Sequence, residues 1–147
     1  MFRRLRNELV PEISCTFMIS FHANHVVVTR EDWGDLVVWS ADENFTSELY
    51  LMLQAKEPYT DQDVRFGMND IYVETCGQGW SWYGNIEFFE LTRNRVSVQL
   101  SSEAATRMRD DGKIEGTFSL DETAYSRLQN TLRKIFDGKN YYRDRTS

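Results

Sequence analysis

Apolar and polar residues alternate with a period of two through most of the first hundred positions, a pattern typical of β-strands. β-Branched and aromatic residues fill these runs, and short polar or turn segments separate them. Because no long helical pattern lies between the early runs, the sequence favours antiparallel meanders over βαβ crossovers. The predicted strands cover residues 12–21, 25–30, 35–41, 48–54, 70–76, 82–91, 95–100 and 113–120, and the sixth and seventh form a hairpin.

The sixth predicted strand and the residues before it carry closely spaced aromatic rings. In QGWSWYGNIEFFEL (78–91), the apolar positions share one face as far as Phe88 and then switch to Phe89 and Leu91. A β-bulge produces such a change of phase, and burial on both faces would also produce it. We assign one set of side chains to the core and the other to solvent: Trp80, Trp82, Ile86 and Phe88 on one face, Tyr83, Glu87 and Phe89 on the other. Ile86 and Leu91 are predicted core residues.

The remaining segments indicate helices. Residues 58–67 predict a loop or a turn of helix that Thr60 can cap, and residues 101–112 predict a helix with capping serines and Gly112 as its stop. A longer helix ends at Gly138 and begins either at Ser119, which has capping-box spacing with Glu122, or at Asp121. Its apolar stripe consists of Ala124, Tyr125, Leu128, Leu132, Ile135 and Phe136.

Together these elements predict an α+β fold. A mostly antiparallel sheet of about seven or eight strands is covered by the C-terminal amphipathic helix and a shorter helix. The length of 147 residues suits a single domain, and 41% hydrophobic residues exclude a disordered chain. We expect residues 1–11 and 138–147 to be peripheral or frayed.

The start of the chain and its cysteines predict a cytoplasmic protein. The first residues include arginines but no apolar segment of the kind found in signal peptides, and no apolar run approaches the roughly 20 residues that span a bilayer. Cys15 and Cys76 lie in strand-like runs, which favours small reduced core residues over a disulfide. We therefore expect no membrane association.

Charge is distributed unevenly around the net value of −6. Residues 31–90 contain thirteen acidic and two basic residues, a balance of −11, whereas the rest contains ten acidic and fifteen basic residues, a balance of +5. An acidic central segment repels phosphate, so nucleic acid is not the expected partner. It would attract a basic protein, or it would simply form a solvated face that keeps the protein in solution.

No pattern of residues indicates catalysis, a metal or a cofactor. His22 and His25 are not accompanied by further ligands at zinc-site spacing. The glycines around Ser81 do not have nucleophile-elbow spacing, and Asp61 and Asp63 do not fit a calcium loop. Glu87 and Glu90 are best interpreted as surface carboxylates, because residues three apart on a strand face opposite ways. The sequence predicts a non-enzyme with no metal site.

Several segments, taken in order, resemble the immunity protein 10 family of bacterial polymorphic toxin systems. The resemblance covers roughly residues 12–137 and is clearest over 48–137. The quoted segments are ELYLMLQ, DQDVRFGMNDIYVE, YGNIEFFELTRNRVSVQL and FSLDETAYSRLQNTLRKIF. Where family members often have a second glycine after Tyr83-Gly84, this chain has Asn85.

The resemblance implies a small cytoplasmic protein that binds and neutralises a cognate toxin, without catalysis or a cofactor. Together with the charge balance, it leads us to expect a cationic toxin domain, steered by acidic residues and anchored by aromatic rings. The expected contact residues are Glu31, Asp32, Asp35, Asp61, Asp63, Glu74, Trp80, Trp82 and Tyr83.

Two other functions fit the same residues. The tryptophans of a non-catalytic binding module would stack on a sugar or another small ligand. Alternatively, exposed rings or a free sheet edge would pair two copies in a homodimer or larger homo-oligomer.

Overall fold

The structure is a computed structural model that describes residues 18–42, 49–75 and 80–146. Within these residues the strands are β1 (Ile19–His22), β2 (His25–Glu31), β3 (Gly34–Ser40), β4 (Tyr50–Lys56), β5 (Tyr72–Thr75), β6 (Ser81–Tyr83), β7 (Ile86–Thr92), β8 (Arg95–Leu100), β9 (Lys113–Thr117) and β10 (Tyr142–Asp144). The helices are α1 (Asp61–Arg65), α2 (Ser102–Met108) and α3 (Glu122–Ile135). The predictions for residues 1–11, Cys15 and Cys76 fall outside the described residues.

The strands form two five-stranded sheets, which confirms the predicted α+β class with mostly antiparallel strands. The first sheet has the order β1-β9-β8-β7-β10, and its outermost pairs, β1 with β9 and β10 with β7, are parallel. The second sheet, β2-β3-β4-β5-β6, is antiparallel throughout. Ten strands replace the predicted seven or eight because one predicted strand is divided and the C-terminal tail adds another.

The divided strand is the predicted strand 82–91. Gly84 and Asn85 have φ angles of +77° and +64°, so the chain turns sharply between β6 and β7 and passes from one sheet to the other. Asparagine is one of the few residues besides glycine that adopts this conformation readily. A register shift between Ile86 and Phe88 agrees with a bulge, which was one of the two explanations for the change of phase. The prediction of a single strand over residues 82–91 was therefore wrong. Trp82 and Phe89 are both buried because they belong to different sheets.

One hydrophobic cluster contains residues of both sheets and of α3. Phe89 lies at its centre, with ring centroids 6.3 Å from Trp39 of β3 and 4.6 Å from Phe136 at the end of α3. The predicted core residues Ile86 and Leu91 are buried. The predicted stripe of α3 is also buried apart from half-buried Ala124, so the helix packs as its 3.6-residue period requires.

Capping side chains begin all three helices. The Asp121 carboxylate accepts from the backbone N–H of Ala124 (2.8 Å), so Asp121 rather than Ser119 caps α3. Ser101 caps α2 as predicted. The helix ends before Gly112 because the backbone of Arg109 adopts the left-handed conformation, with φ of +61°. Thr60 caps α1 through a reciprocal pair of hydrogen bonds with Asp63.

The C-terminal tail was expected to be peripheral or frayed, and this was wrong for its central residues. Tyr142–Asp144 forms β10, which pairs with β7 at the edge of the first sheet. The Tyr142 ring stacks on Phe136 at 4.8 Å with planes 5° apart, and Tyr141 also contacts Phe136. Two adjacent tyrosines therefore give a polar tail enough apolar surface to attach it to the core.

Candidate partner-binding surface

The β2–β3 hairpin and the segment after β4 meet at one end of the second sheet. Asp32 and Trp33 are the two turn residues between paired Glu31 and Gly34. The Trp33 carbonyl accepts from the backbone N–H of Glu57 (2.9 Å), which links the turn to the segment that enters α1. A Cβ atom on Gly34 would lie 2.0 Å from the carbonyl oxygen of Ala55, so only glycine permits this close approach of the two strands.

We call this region the acidic end and define it by Glu31, Asp32, Trp33, Glu57, Asp61, Val64 and Phe66. Its four acidic side chains are all exposed. Two large rings stand among them, since Trp33 is 38% and Phe66 62% exposed. Exposed aromatic rings beside carboxylates combine the residue types that supply interface anchors with those that steer a cationic partner.

Two nearby cations are already paired. Arg30 Nη1 donates to Asp35 (3.0 Å) and Glu57 (2.9 Å), and Lys56 Nζ donates to Asp63 (2.7 Å). Among the described residues, Asp32 and Asp61 have no basic side chain within ion-pair distance. Within the described residues neither carboxylate forms an ion pair, although Arg65 lies one helical turn after Asp61.

The outer face of the second sheet adjoins the acidic end. Strand alternation and register place the side chains of Val27, Leu36, Met52, Tyr72, Glu74 and Tyr83 there, and Glu31 belongs to the same face. The rings of Tyr72 and Tyr83 are 5.2 Å apart, and the hydroxyls of Tyr72 (2.6 Å) and Tyr50 donate to the Glu74 carboxylate. Burial and the hydrogen bond to Glu74 raise the pKa of Tyr72.

Three of the predicted contact residues do not belong to an accessible surface. Asp35 and Asp63 are each 4% exposed and Trp82 is 8% exposed. The Asp35 carboxylate joins β3 to Lys134 of α3 (3.3 Å), and Asp63 forms the α1 capping box. Hydrogen bonds from Lys56 and Thr60 lower the pKa of Asp63. These carboxylates stabilise the fold internally, which corrects their predicted role as steering contacts.

The other predicted residues divide between the two parts of the surface. Glu31, Asp32 and Asp61 lie at the acidic end, and Glu74 and Tyr83 lie on the outer face. Trp80 is half-buried and packs against the core. Because Trp82 is buried, the two tryptophans do not form the open stacking platform that a sugar-binding module would need.

Trp33 and Phe66 were not predicted as contacts, although signals for both were present. Trp33 occupies a turn of two residues between alternating strands, where side chains cannot enter the sheet. Phe66 directly follows the short helix that begins at Thr60, outside any apolar stripe. Attention to turn positions, rather than to ring density, would have identified both residues.

The described clefts show no arrangement for catalysis. A cleft of about 650 Å³ lies between the β4–β5 connection and the end of α3, and several of its charges form ion pairs, including Lys139 with Asp70 (3.3 Å). His22 lies 2.8 Å from the Thr117 hydroxyl, and Glu90 is paired with Arg145. No group of three or more potential metal ligands occurs among the described residues.

Comparison with known proteins gives one finding. The family model described as Immunity protein 10 matches residues 22–126, which include β2 to β9 and the first turn of α3. Neither the curated proteins nor the solved structures contain a match to the chain. Within the described part of the chain, no helix combines the length and apolarity needed to cross a membrane.

Proposed function

The chain belongs to the immunity protein 10 family, and from this premise we propose that it neutralises a cognate toxin by binding it at the acidic end. Membership of the family implies toxin neutralisation in general. The partner that we propose is a cationic toxin domain of a bacterial polymorphic toxin system. We further propose that binding takes place in the cytoplasm and involves neither catalysis nor a cofactor.

The observation that carries the proposal is the combination of unpaired carboxylates and exposed rings at one end of the sheet. Asp32 and Asp61 supply charge that attracts a cationic surface over a distance of about a Debye length. Trp33 and Phe66 supply apolar area for the contact itself. Tyr83 and Glu74 on the adjoining outer face extend the same surface, and half-buried Trp80 remains a proposed contact.

The two groups of residues have separate kinetic roles in this proposal. Exposed charges mainly increase the association rate, because they act before contact and lose little solvation. Buried aromatic anchors mainly decrease the dissociation rate, because their contacts must be broken before the partner leaves. Mutation of each group should therefore change a different rate constant.

The charge role is tested with a double reversal, Asp32→Lys with Asp61→Lys, and a matched control. The control is Glu87→Lys with Glu103→Lys, which changes the net charge equally and also includes one acidic residue in a helical first turn. We expect the Asp32/Asp61 variant to associate about tenfold more slowly with the toxin at low salt, and the difference to shrink as salt increases.

The toxin domain is first identified as one whose toxicity is relieved when this chain is co-expressed. The rate of association with that domain is then measured by stopped flow. Equal association rates for the two double variants would refute steering by the acidic end. Failure of co-expression to relieve the toxicity of any candidate toxin would refute neutralisation itself.

The anchor role is tested with Trp33→Ala and Phe66→Ala, with Met18→Ala as the control. Met18 is as exposed as Trp33 but precedes β1 of the other sheet. An interface anchor typically contributes about 2 kcal/mol, so each anchor variant should dissociate roughly thirtyfold faster. Thermal melts show whether the variants remain folded, and unchanged dissociation rates in folded variants would exclude the two rings as anchors.

A further inference from the structure

The described sheets end in four edge strands, and β2 is by far the longest of them. It has seven residues in regular register with β3, whereas β1 has four and β6 and β10 have three each. Short edge strands offer few hydrogen bonds to another chain. The β2 edge is therefore the place where the described fold offers the most backbone pairing to a partner.

The edge of β2 lacks most of the features that usually block pairing. Residues 25–29 contain no proline, lysine or acidic residue, and no bulge interrupts the strand. Among the described residues, no backbone hydrogen bond reaches β2 from outside its pair with β3. A groove of about 460 Å³, lined by Val28 and by Arg127 and Thr131 of α3, separates the helix from this strand.

We propose that β2 pairs antiparallel with β2 of a second copy of the chain, around a twofold axis at Val28. The proposal concerns a homodimer and does not depend on the identity of the toxin. Such pairing would join two five-stranded sheets into one ten-stranded sheet.

The geometry of the β2–β3 hairpin determines this register. A turn of two residues closes on a hydrogen-bonded pair, here Glu31 with Gly34, and hydrogen-bonded pairs then alternate along the strand. The backbone groups of Val26, Val28 and Arg30 therefore point away from β3. An axis at Val28 pairs all three outward positions, whereas an axis at Arg30 would place two arginines opposite each other.

The side chains match in this register. On the outer face, His25 is opposite Glu31 of the partner subunit, and Val27 is opposite Thr29 of the partner subunit. Both copies of the His25–Glu31 pair occur because the axis is twofold, and the imidazole can donate a hydrogen bond to the carboxylate across the two strands. At the axis, Val28 meets Val28 of the partner subunit. The outer face of the strand is thus complementary to itself in polar and apolar character, whereas on the inner face Val26 is opposite Arg30 of the partner subunit.

The arrangement leaves two acidic ends on one particle. In an antiparallel pair, Glu31 of each subunit lies at the opposite end of the shared ladder, roughly 20 Å of strand away from the other. Asp32, Trp33 and Phe66 lie beyond the paired residues. The dimer would therefore present two separate surfaces to toxin domains.

The test is a charge swap read by sedimentation equilibrium of the full chain from low to high micromolar concentration. Wild-type protein should approach twice the 17.3 kDa mass of one chain. His25→Glu alone and Glu31→Lys alone should each weaken the dimer about tenfold, because the first places two pairs of carboxylates opposite each other and the second removes both carboxylates that accept from His25. The double variant should restore association, since a carboxylate at position 25 and an ammonium group at position 31 would then face each other across the axis.

This rescue cannot arise within one subunit, because positions 25 and 31 are roughly 20 Å apart along the same strand. Glu103→Lys is the control for net charge and should leave the dimer intact. A wild-type chain that stays monomeric throughout the concentration range would overturn the proposal, and it would leave the toxin proposal standing. A dimer whose double variant is not rescued would also overturn it, because the interface would lie elsewhere.

Cross-linking provides a second test that does not depend on charge. In a Cys15→Ser, Cys76→Ser background, Val28→Cys should form an intersubunit disulfide on mild oxidation, because paired Cα atoms are about 5.5 Å apart. Thr29→Cys, which does not face its own copy, should cross-link much less. Equal cross-linking by the two variants, or none by Val28→Cys, would contradict the register.

Discussion

Asp32 and Asp35 are close in the sequence, but the structure gives them opposite environments, and this contrast leads to a prediction. Asp32 lies exposed in the β2–β3 turn, whereas Asp35 is 4% exposed and contacts Arg30 Nη1 at 3.0 Å and Lys134 Nζ at 3.3 Å. We expect Asp35→Ala to lower the free energy of unfolding without slowing toxin association. We expect Asp32→Ala to slow toxin association without changing the free energy of unfolding.

The magnitude follows from the two contacts of Asp35. A hydrogen bond between charged groups contributes about 1.5–3 kcal/mol when it is dry. The Arg30 and Lys134 side chains are 48% and 50% exposed, so solvent screens both contacts and about 1 kcal/mol each is reasonable. Together they predict a loss of about 2 kcal/mol, or roughly 4–8 °C in Tm for a chain of this size. Asp32→Ala should remain within about 0.5 kcal/mol.

Urea unfolding followed by tryptophan fluorescence measures the first effect, because Trp39 is fully buried in the core. Stopped-flow association at a temperature at which both variants are folded measures the second. If Asp35→Ala slowed association as much as Asp32→Ala and left the urea midpoint unchanged, Asp35 would face the partner and the assignment of its carboxylate to the fold would be wrong.

Two further predictions concern the tyrosines of the C-terminal segment. Tyr142 stacks on Phe136, and its buried hydroxyl has no hydrogen-bond partner among the described residues. In urea unfolding, Tyr142→Ala should therefore lower the free energy of unfolding by about 3 kcal/mol and Tyr142→Phe by less than about 1 kcal/mol. Equal losses for the two variants would contradict the stacking. Burial raises the pKa of Tyr141 from 10.0 to about 12, so the unfolded chain loses this proton first and stability should fall as pH rises from 10 to 12. Tyr141→Phe should make stability fall less steeply between pH 10 and 12. An unchanged pH profile would contradict the raised pKa of Tyr141.

Features that depend on a few neighbouring residues were predictable from the sequence. The Thr60 and Ser101 caps and the buried stripe of α3 were confirmed, as was the β7–β8 hairpin. Each depends on hydrogen bonds or periodicity within about one turn of helix or one pair of adjacent strands. Local chemistry therefore determined these elements almost independently of the rest of the chain.

The placement of the aromatic rings was not predictable in the same way. Alternation put Trp82 and Phe89 on opposite faces of one extended strand, with one of them exposed, but Gly84 and Asn85 send their strands into different sheets and both rings are buried. Either residue could belong to a simple bulge, and only contacts far away in the sequence determine which sheet accepts each strand. The pattern indicated on which side of a strand each residue lies, but it did not indicate to which sheet the strand belongs.

Folding neutralises part of the charge asymmetry of the sequence, and this changes what a partner would encounter. Basic residues from the flanking segments pair with acidic residues of the central segment: Arg30 and Lys134 with Asp35, Lys139 with Asp70, and Arg145 with Glu90. The sequence balance of −11 over residues 31–90 therefore overstates the field outside the protein. Association with a cationic toxin should depend on the position of the exposed carboxylates near the exposed rings, and only weakly on net charge.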